Sequence, residues 1–121
     1  MIQIFVDENL IIQVFNNLIS NAIRHTPQGG TISLESEAVQ KGIRIKVKDT
    51  GEGIPPEDIP FIFDRFWRAD KSRTREGKSH SGLGLAIAKQ LIQAHHGTIE
   101  VQSQVNEGTT FIIELPEWSL H

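Results

Sequence analysis

The chain has 121 residues and a formal net charge of −3, with 38% hydrophobic and 22% charged residues and no cysteine. That is enough apolar material for one packed core, and too balanced a charge for a disordered or nucleic-acid-coating chain. The missing thiols exclude a disulfide framework, a cysteine zinc site and thiol catalysis, which is compatible with a cytoplasmic domain. No apolar run approaches the roughly 20 residues that span a bilayer, so a membrane-anchored parent would need another segment for its anchor.

In chain order, Ile2 to Val6 predict a short strand, and Asp7 stands where an N-cap carboxylate can accept helix N–H groups. A helix is predicted from Glu8 to His25. At about 100° per residue, Leu10, Val14, Leu18, Ile11, Ala22, Phe15 and Ile19 form one apolar arc, and Asn16, Ser20, Gln13, Arg24, Asn17 and Asn21 fill the rest. Pro27-Gln28-Gly29-Gly30 stops the helix. Thr31 to Ser36 and Ile43 to Lys48 alternate as two hairpin strands around Gln40-Lys41-Gly42. Asp49 to Pro56 reads as a loop and Glu57 to Phe66 as a short helix, while the charged run Arg68 to Ser81 predicts a mobile loop. Helical periodicity returns at Leu83, Ile87, Leu91 and Ile92 and closes at His95-His96-Gly97, with Gly97 expected as a left-handed C-cap. Strands Thr98 to Gln104 and Thr109 to Leu115 follow, joined by Asn106-Glu107-Gly108. The order predicts an α+β two-layer sandwich, a mostly antiparallel sheet with helices on one face.

Three stretches could carry chemistry. Asn17 and Asn21, four apart, stack on one side of the first helix. Stacked amide oxygens suit a hard cation such as Mg²⁺ that takes its remaining oxygens from water and phosphate; for the pair alone, a solvated polar face is the simpler reading. Asp49-Thr50-Gly51-Glu52-Gly53-Ile54 puts a carboxylate at a strand end, where it can accept from an exocyclic amine such as that of adenine, beside glycines that admit a flat ligand. An ordinary Asp-Thr-Gly turn accounts for the same residues. Ser81-Gly82-Leu83-Gly84-Leu85 opens a helix, where free N–H groups and the helix dipole make a phosphate seat.

Competing motifs fail. The glycines lack the preceding strand of a dinucleotide fingerprint, and Ser72 stands where a P-loop ending in Gly77-Lys78-Ser79 needs its first glycine. The basic run Arg68 to Lys78 contains no aromatic residue to stack on bases, which argues against nucleic acid. Adjacent His95 and His96 point about 100° apart on a helix and read as structural.

Taken in order, Asn17 to Thr26, Asp49 to Ile54, Phe63-Asp64-Arg65-Phe66-Trp67-Arg68, Gly82-Leu83-Gly84-Leu85 and Gly108-Thr109 resemble the asparagine, first glycine, phenylalanine, second glycine and closing Gly-Thr boxes of bacterial sensor histidine kinases. The resemblance is to their catalytic and ATP-binding domain, and it covers about Val6 to Pro116. It implies the Bergerat fold over residues 1–121, with a flexible ATP lid at about 68–81.

By position, Asn17 and Asn21 would hold Mg²⁺, Arg24 would approach the phosphates and His25 the adenine. Asp49 would accept the adenine amine with Gly51, Gly53 and Ile54 around the base, Arg68 would reach the terminal phosphate, and Thr109 would sit near the base through water. Gly82, Leu83, Gly84 and Leu85 would line the phosphates. Asn17 and Arg68 would be the catalytic residues. Three positions depart from the pattern: Arg24 where Lys is commoner, His25 where Tyr is frequent, and His80 where the second glycine box usually begins.

None of His25, His80, His95, His96 or His121 has the context of the family's phosphorylated histidine, so the resemblance implies transfer to a separate dimerisation domain and no self-labelling. A response-regulator receiver domain would act downstream. Alternatives are a serine kinase or an ATPase of the same fold, or a nucleotide-sensing module without transfer. The first two normally lack the Phe63 to Arg68 stretch, and the ATPases carry Glu at the position of Asn17.

Overall fold

The structure is a computed structural model that describes residues 6–64 and 84–117. The expected first strand, apart from Val6, and the Arg68 to Ser81 loop lie outside the described residues.

Helix α1 spans Glu8–His25 as its sequence predicts. The Asp7 side chain accepts from the Leu10 N–H at 3.2 Å, Glu8 occupies the first turn, and Arg24 and His25 occupy the last, where a cation suits the dipole. Strands β1 (Ile32–Val39) and β2 (Gly42–Asp49) are longer than their alternation suggests, because Val39 pairs with Gly42 across a turn of only Gln40 and Lys41. The expected short helix is a single 3-10 turn, Ile59–Phe61, within residues Glu57 to Asp64. Helix α2 (Gly84–Ala94) precedes β3 (Thr98–Gln104) and β4 (Gly108–Pro116).

The four strands form one antiparallel sheet in the order β1-β2-β4-β3. On one face Val47, Ile99, Phe111, Ile113 and Leu115 meet Val14 and Leu18 of α1 and Leu85, Ala88 and Ile92 of α2 in a single core. Phe63 lies edge-on to Phe111 at 6.2 Å between ring centroids, with the Lys89 ammonium 5.2 Å from the Phe63 ring centre. The opposite face is polar. There Arg44 bonds Glu114 and Glu37 at 2.7 and 2.9 Å, and these partners, Glu114 first, hold its guanidinium above its ordinary range. Helices on one face and ion pairs on the other follow from the apolar and polar alternation in the sequence of β2 and the alternating burial along β4.

The end of α2 corrects one expectation. His96, not Gly97, adopts the left-handed conformation, at φ 65°. The His96 N–H bonds Gln93 O and the Gly97 N–H bonds Ile92 O, the two closures of a Schellman motif. Gly97 is needed for another reason: a Cβ there would lie 2.4 Å from Glu114 O, so the glycine lets the chain cross close to β4. His95 is structural, as expected. Its Nε2 accepts from the Asp7 N–H and its Nδ1–H donates to Leu91 O, both at 2.9 Å, which ties the start of α1 to the end of α2.

Candidate functional site

Register brings the polar residues together. Asp49 pairs with Thr109 across β2 and β4, and Thr109 with Ser103 across β4 and β3, so the three form one row on the helix-covered face at the end of the sheet. Asp49 and Thr109 are buried, at 8% and 6% exposure. Buried polar groups persist when they are hydrogen-bonded: Asp49 Oδ1 accepts the Gly51 N–H at 2.8 Å, and Thr109 Oγ1 meets Ser103 Oγ at 2.9 Å.

The loop after Asp49 is clamped on both sides. The Glu52 N–H bonds His25 O at the end of α1, Glu52 O receives the Asn106 N–H from the β3–β4 turn, and the Ile54 N–H bonds Ser103 Oγ at 2.7 Å. The glycines follow from this clamp. A Cβ on Gly51 would stand 2.2 Å from His25 O, and one on Gly53, whose φ is +77°, would stand 2.1 Å from Gln104 O. The close approach that Gly51 and Gly53 permit in this structure is to the chain's own backbone. Ile54 sends its side chain into the core, and its N–H is spent on Ser103.

A second line of residues runs along α1. Asn17, Asn21 and His25 are spaced i, i+4 and i+8, about 12 Å from first to last at the helical rise. Asn17 Nδ2 donates to Gly84 O at 3.3 Å, which sets it against the first residue of α2. Asn21 is 8% exposed and thus belongs to the buried side of α1, although the helical projection groups it with the polar residues. This burial favours a site over a solvated polar face. His25 Nδ1 and Glu52 Oε2 are paired at 2.5 Å, joining the far end of the line to the glycine loop. Arg24 is exposed beside it.

The line and the row are joined at one end, where His25 meets the loop that follows Asp49, while Asn17 at the other end meets Gly84 at the start of α2. Leu85 is a core side chain and has only its backbone to offer a ligand. Arg68, Gly82 and Leu83 lie outside the described residues.

Two further residues take part in this arrangement. Ser103 looks like an ordinary strand residue; the available signal was its position opposite Thr109 across the Asn106 turn. In the sequence Gly108 stands out only as part of the Gly-Thr motif, yet at φ +136° a Cβ there would stand 2.0 Å from Asp49 O, so it seats β4 against the acidic strand end.

Among the described residues no cluster of three or more His, Asp or Glu could hold a metal ion, and no helix is long and apolar enough to cross a membrane.

Comparison with known proteins bears on the family and the fold. Residues 6–119 match the family described as histidine kinase-, DNA gyrase B- and HSP90-like ATPase. Sensor histidine kinase WalK of Bacillus subtilis (strain 168) is 46% identical over 113 residues, which are 92% of this chain but 18% of WalK. The mycobacterial sensor histidine kinase MprB superposes with a TM-score of 0.83 at 30% identity, covering 97% of this chain and 78% of that structure. Full-length ShkA in complex with AMPPNP gives a TM-score of 0.83 at 30% identity over 99% of this chain and 24% of its own. The chain spans less than a fifth of the curated relative it matches. It belongs to the histidine kinase-, DNA gyrase B- and HSP90-like ATPase family, as a catalytic ATP-binding domain of the sensor histidine kinase type.

Proposed function

We propose that the chain binds Mg-ATP with the base at the Asp49–Thr109 row and the phosphates along α1 toward Asn17 and Gly84, and delivers the γ-phosphoryl group to a histidine on a separate dimerisation domain. The observation that carries this reading is that a buried carboxylate and a buried hydroxyl share one row, and that the loop after this row is bonded to the end of the helix bearing Asn17 and Asn21, in a sandwich of this family. The complex of ShkA with AMPPNP supports a nucleotide for a relative of the same fold.

Asp49 has one oxygen committed to Gly51, which orients its carboxylate so that the other can accept from the adenine amine. Asn17, held by Gly84 O through its amide nitrogen, keeps its amide oxygen for another partner. With Asn21 one turn away, the donor set is neutral oxygen, without a carboxylate cluster among the described residues. This fits Mg²⁺, whose remaining ligands would be phosphate and water. Bound there, the ion would offset charge on the phosphates. Arg24, and Arg68 from the lid, would add cationic charge at the phosphate tail.

Transfer would be in line: an imidazole nitrogen of the acceptor attacks the γ-phosphorus, the bond to the β–γ bridging oxygen breaks, and ADP leaves. Asn17 also explains why water should not compete. An amide is neutral and very weakly basic, so it cannot take the proton of an attacking water. The resting domain would therefore keep its ATP until an imidazole arrives.

The test is radiolabelled ATP with the purified chain, alone and with the parent's dimerisation domain. Acid-labile label is expected on the added domain only. Label on the chain itself, or fast multiple-turnover hydrolysis, overturns the reading.

A further inference from the structure

Ser103 is tied to three neighbours. Its Oγ lies 2.7 Å from the Ile54 N–H, 3.0 Å from Gly108 O and 2.9 Å from Thr109 Oγ1. A serine hydroxyl has one proton and two lone pairs. One assignment satisfies all three contacts. The proton goes to Gly108 O, which can only accept. One lone pair takes the Ile54 N–H, which can only donate, and the other takes the Thr109 hydroxyl proton. Ser103 is then saturated, and the Thr109 proton is turned into the sheet, away from Asp49 on the opposite neighbouring strand.

We propose that Ser103 is a positioning residue that sets the base selectivity of the nucleotide site by committing the Thr109 proton, an inference that rests on the adenine site proposed above. With that proton committed, Thr109 presents only lone pairs to its surroundings. Its cross-strand partner Asp49 is, as a carboxylate, likewise an acceptor. Two acceptors side by side on a buried row match an exocyclic amine, which has two N–H groups to give, directly or through one water. A purine carbonyl in the same place meets acceptors alone, and buried unpaired acceptors are costly. A Thr109 free to rotate could instead donate to that carbonyl, so adenine selectivity would fall. Ser103 itself stands one strand beyond Thr109, about 4.8 Å further along the row, and does not touch the base.

The same hydroxyl also links the glycine loop, through Ile54, to the start of β4, through Gly108. A merely structural role would weaken binding of every purine nucleotide alike, so the informative quantity is the ratio of GTP to ATP dissociation constants. Calorimetry on the purified chain should give at least a tenfold preference for ATP, corresponding to about 1.4 kcal/mol. Ser103→Ala should lower that ratio by about fivefold or more, and Ser103→Thr, which restores a hydroxyl, should hold it within about twofold. In a Thr109→Val background, adding Ser103→Ala should change the ratio less than about twofold, because the proton it would release is gone. Should circular dichroism show Ser103→Ala unfolded, Ser103→Cys keeps the size with a weakly bonding sulfur and is read the same way.

Equal losses of ATP and GTP binding in the folded variant overturn the inference, as does a full effect of Ser103→Ala in the Thr109→Val chain. A wild-type chain with no preference for ATP counts against the adenine site itself. A preference that survives Ser103→Ala counts against Ser103 alone.

Discussion

The helix-covered face of the sheet has two ends with opposite chemistry. At one end the cross-strand row reads Ile32, Asp49, Thr109, Ser103; the next two rows read Leu34, Val47, Phe111, Val101 and Ser36, Ile45, Ile113, Ile99. On β2 and β4 the three rows share strands, register and depth: Asp49 and Thr109 are nearly as buried as Phe111 and Ile113. Burial alone therefore does not define the core. In the apolar rows it removes hydrocarbon from water and stabilises the fold. In the polar row it desolvates groups whose hydrogen bonds only offset that loss, so this row adds little stability and is where the proposed nucleotide site is placed.

The comparison breaks most severely at Phe111, the largest fully buried side chain among the described residues. Phe111→Ala should cost about 3–5 kcal/mol, seen as a lower denaturation midpoint, and nucleotide binding should fall only because less protein is folded. A loss under about 1 kcal/mol would mean that the apolar rows are not the core.

Next is Gly108, where the polar end depends on a backbone requirement. Its φ of +136° and the approach to Asp49 O make Gly108→Ala costly, by about 2 kcal/mol in chemical denaturation. Here ATP affinity per folded molecule should fall as well, because β4 cannot seat beside Asp49.

Asp49→Ala separates the rows in the other direction. Stability should drop by about 1 kcal/mol, from the Gly51 N–H left without its acceptor, while calorimetry should show ATP affinity reduced about tenfold or more. An affinity loss no greater than the stability loss would make Asp49 a turn residue and nothing else.

Asn17→Ala tests the far end of the α1 line. ATP affinity should fall several-fold more in Mg²⁺ than in EDTA, since a metal ligand matters only with the metal present, while loss of the bond to Gly84 O is common to both buffers. Equal losses would refute the metal role.

The smallest effect is expected on the opposite face of the sheet. Glu37→Gln removes one of the two carboxylates on Arg44, and the melting temperature should move by no more than about 1 °C, less still in high salt. The pH dependence follows from the sign of the Arg44 shift. A raised pKa on a base contributes stability that is fully present below the ordinary arginine range and is lost only as pH rises through the higher folded value. Melting curves of wild type and Glu37→Gln should therefore keep the same small separation from about pH 6 to pH 9. A separation that changes across that window would mean that another group is coupled to the pair.

By itself the sequence determined the features that depend on neighbours within a turn or a strand. The Asp7 cap and the bounds of α1 follow from a carboxylate at the helix start and a 3.6-residue period, and the bounds of β3 from alternation between two turn signals. The spaced Asn, Asp-Gly, Phe, Gly and Gly-Thr motifs carried the family as well, because residue types at fixed intervals survive without coordinates. Only the tertiary structure decided which atoms those residues meet. That Asn21 is buried, that His96 rather than Gly97 turns left-handed, and that Gly51 faces His25 O depend on how α1 and the β4 strand end fit against the loops. The Ser103 hydroxyl shows the reason most plainly. Its partners stand 49, 5 and 6 residues away in sequence, and they converge only because β3 and β4 pair in one register and the glycine loop folds over them. Hydrogen-bond geometry is specified to a few tenths of an ångström, and no local pattern of residue types carries that information.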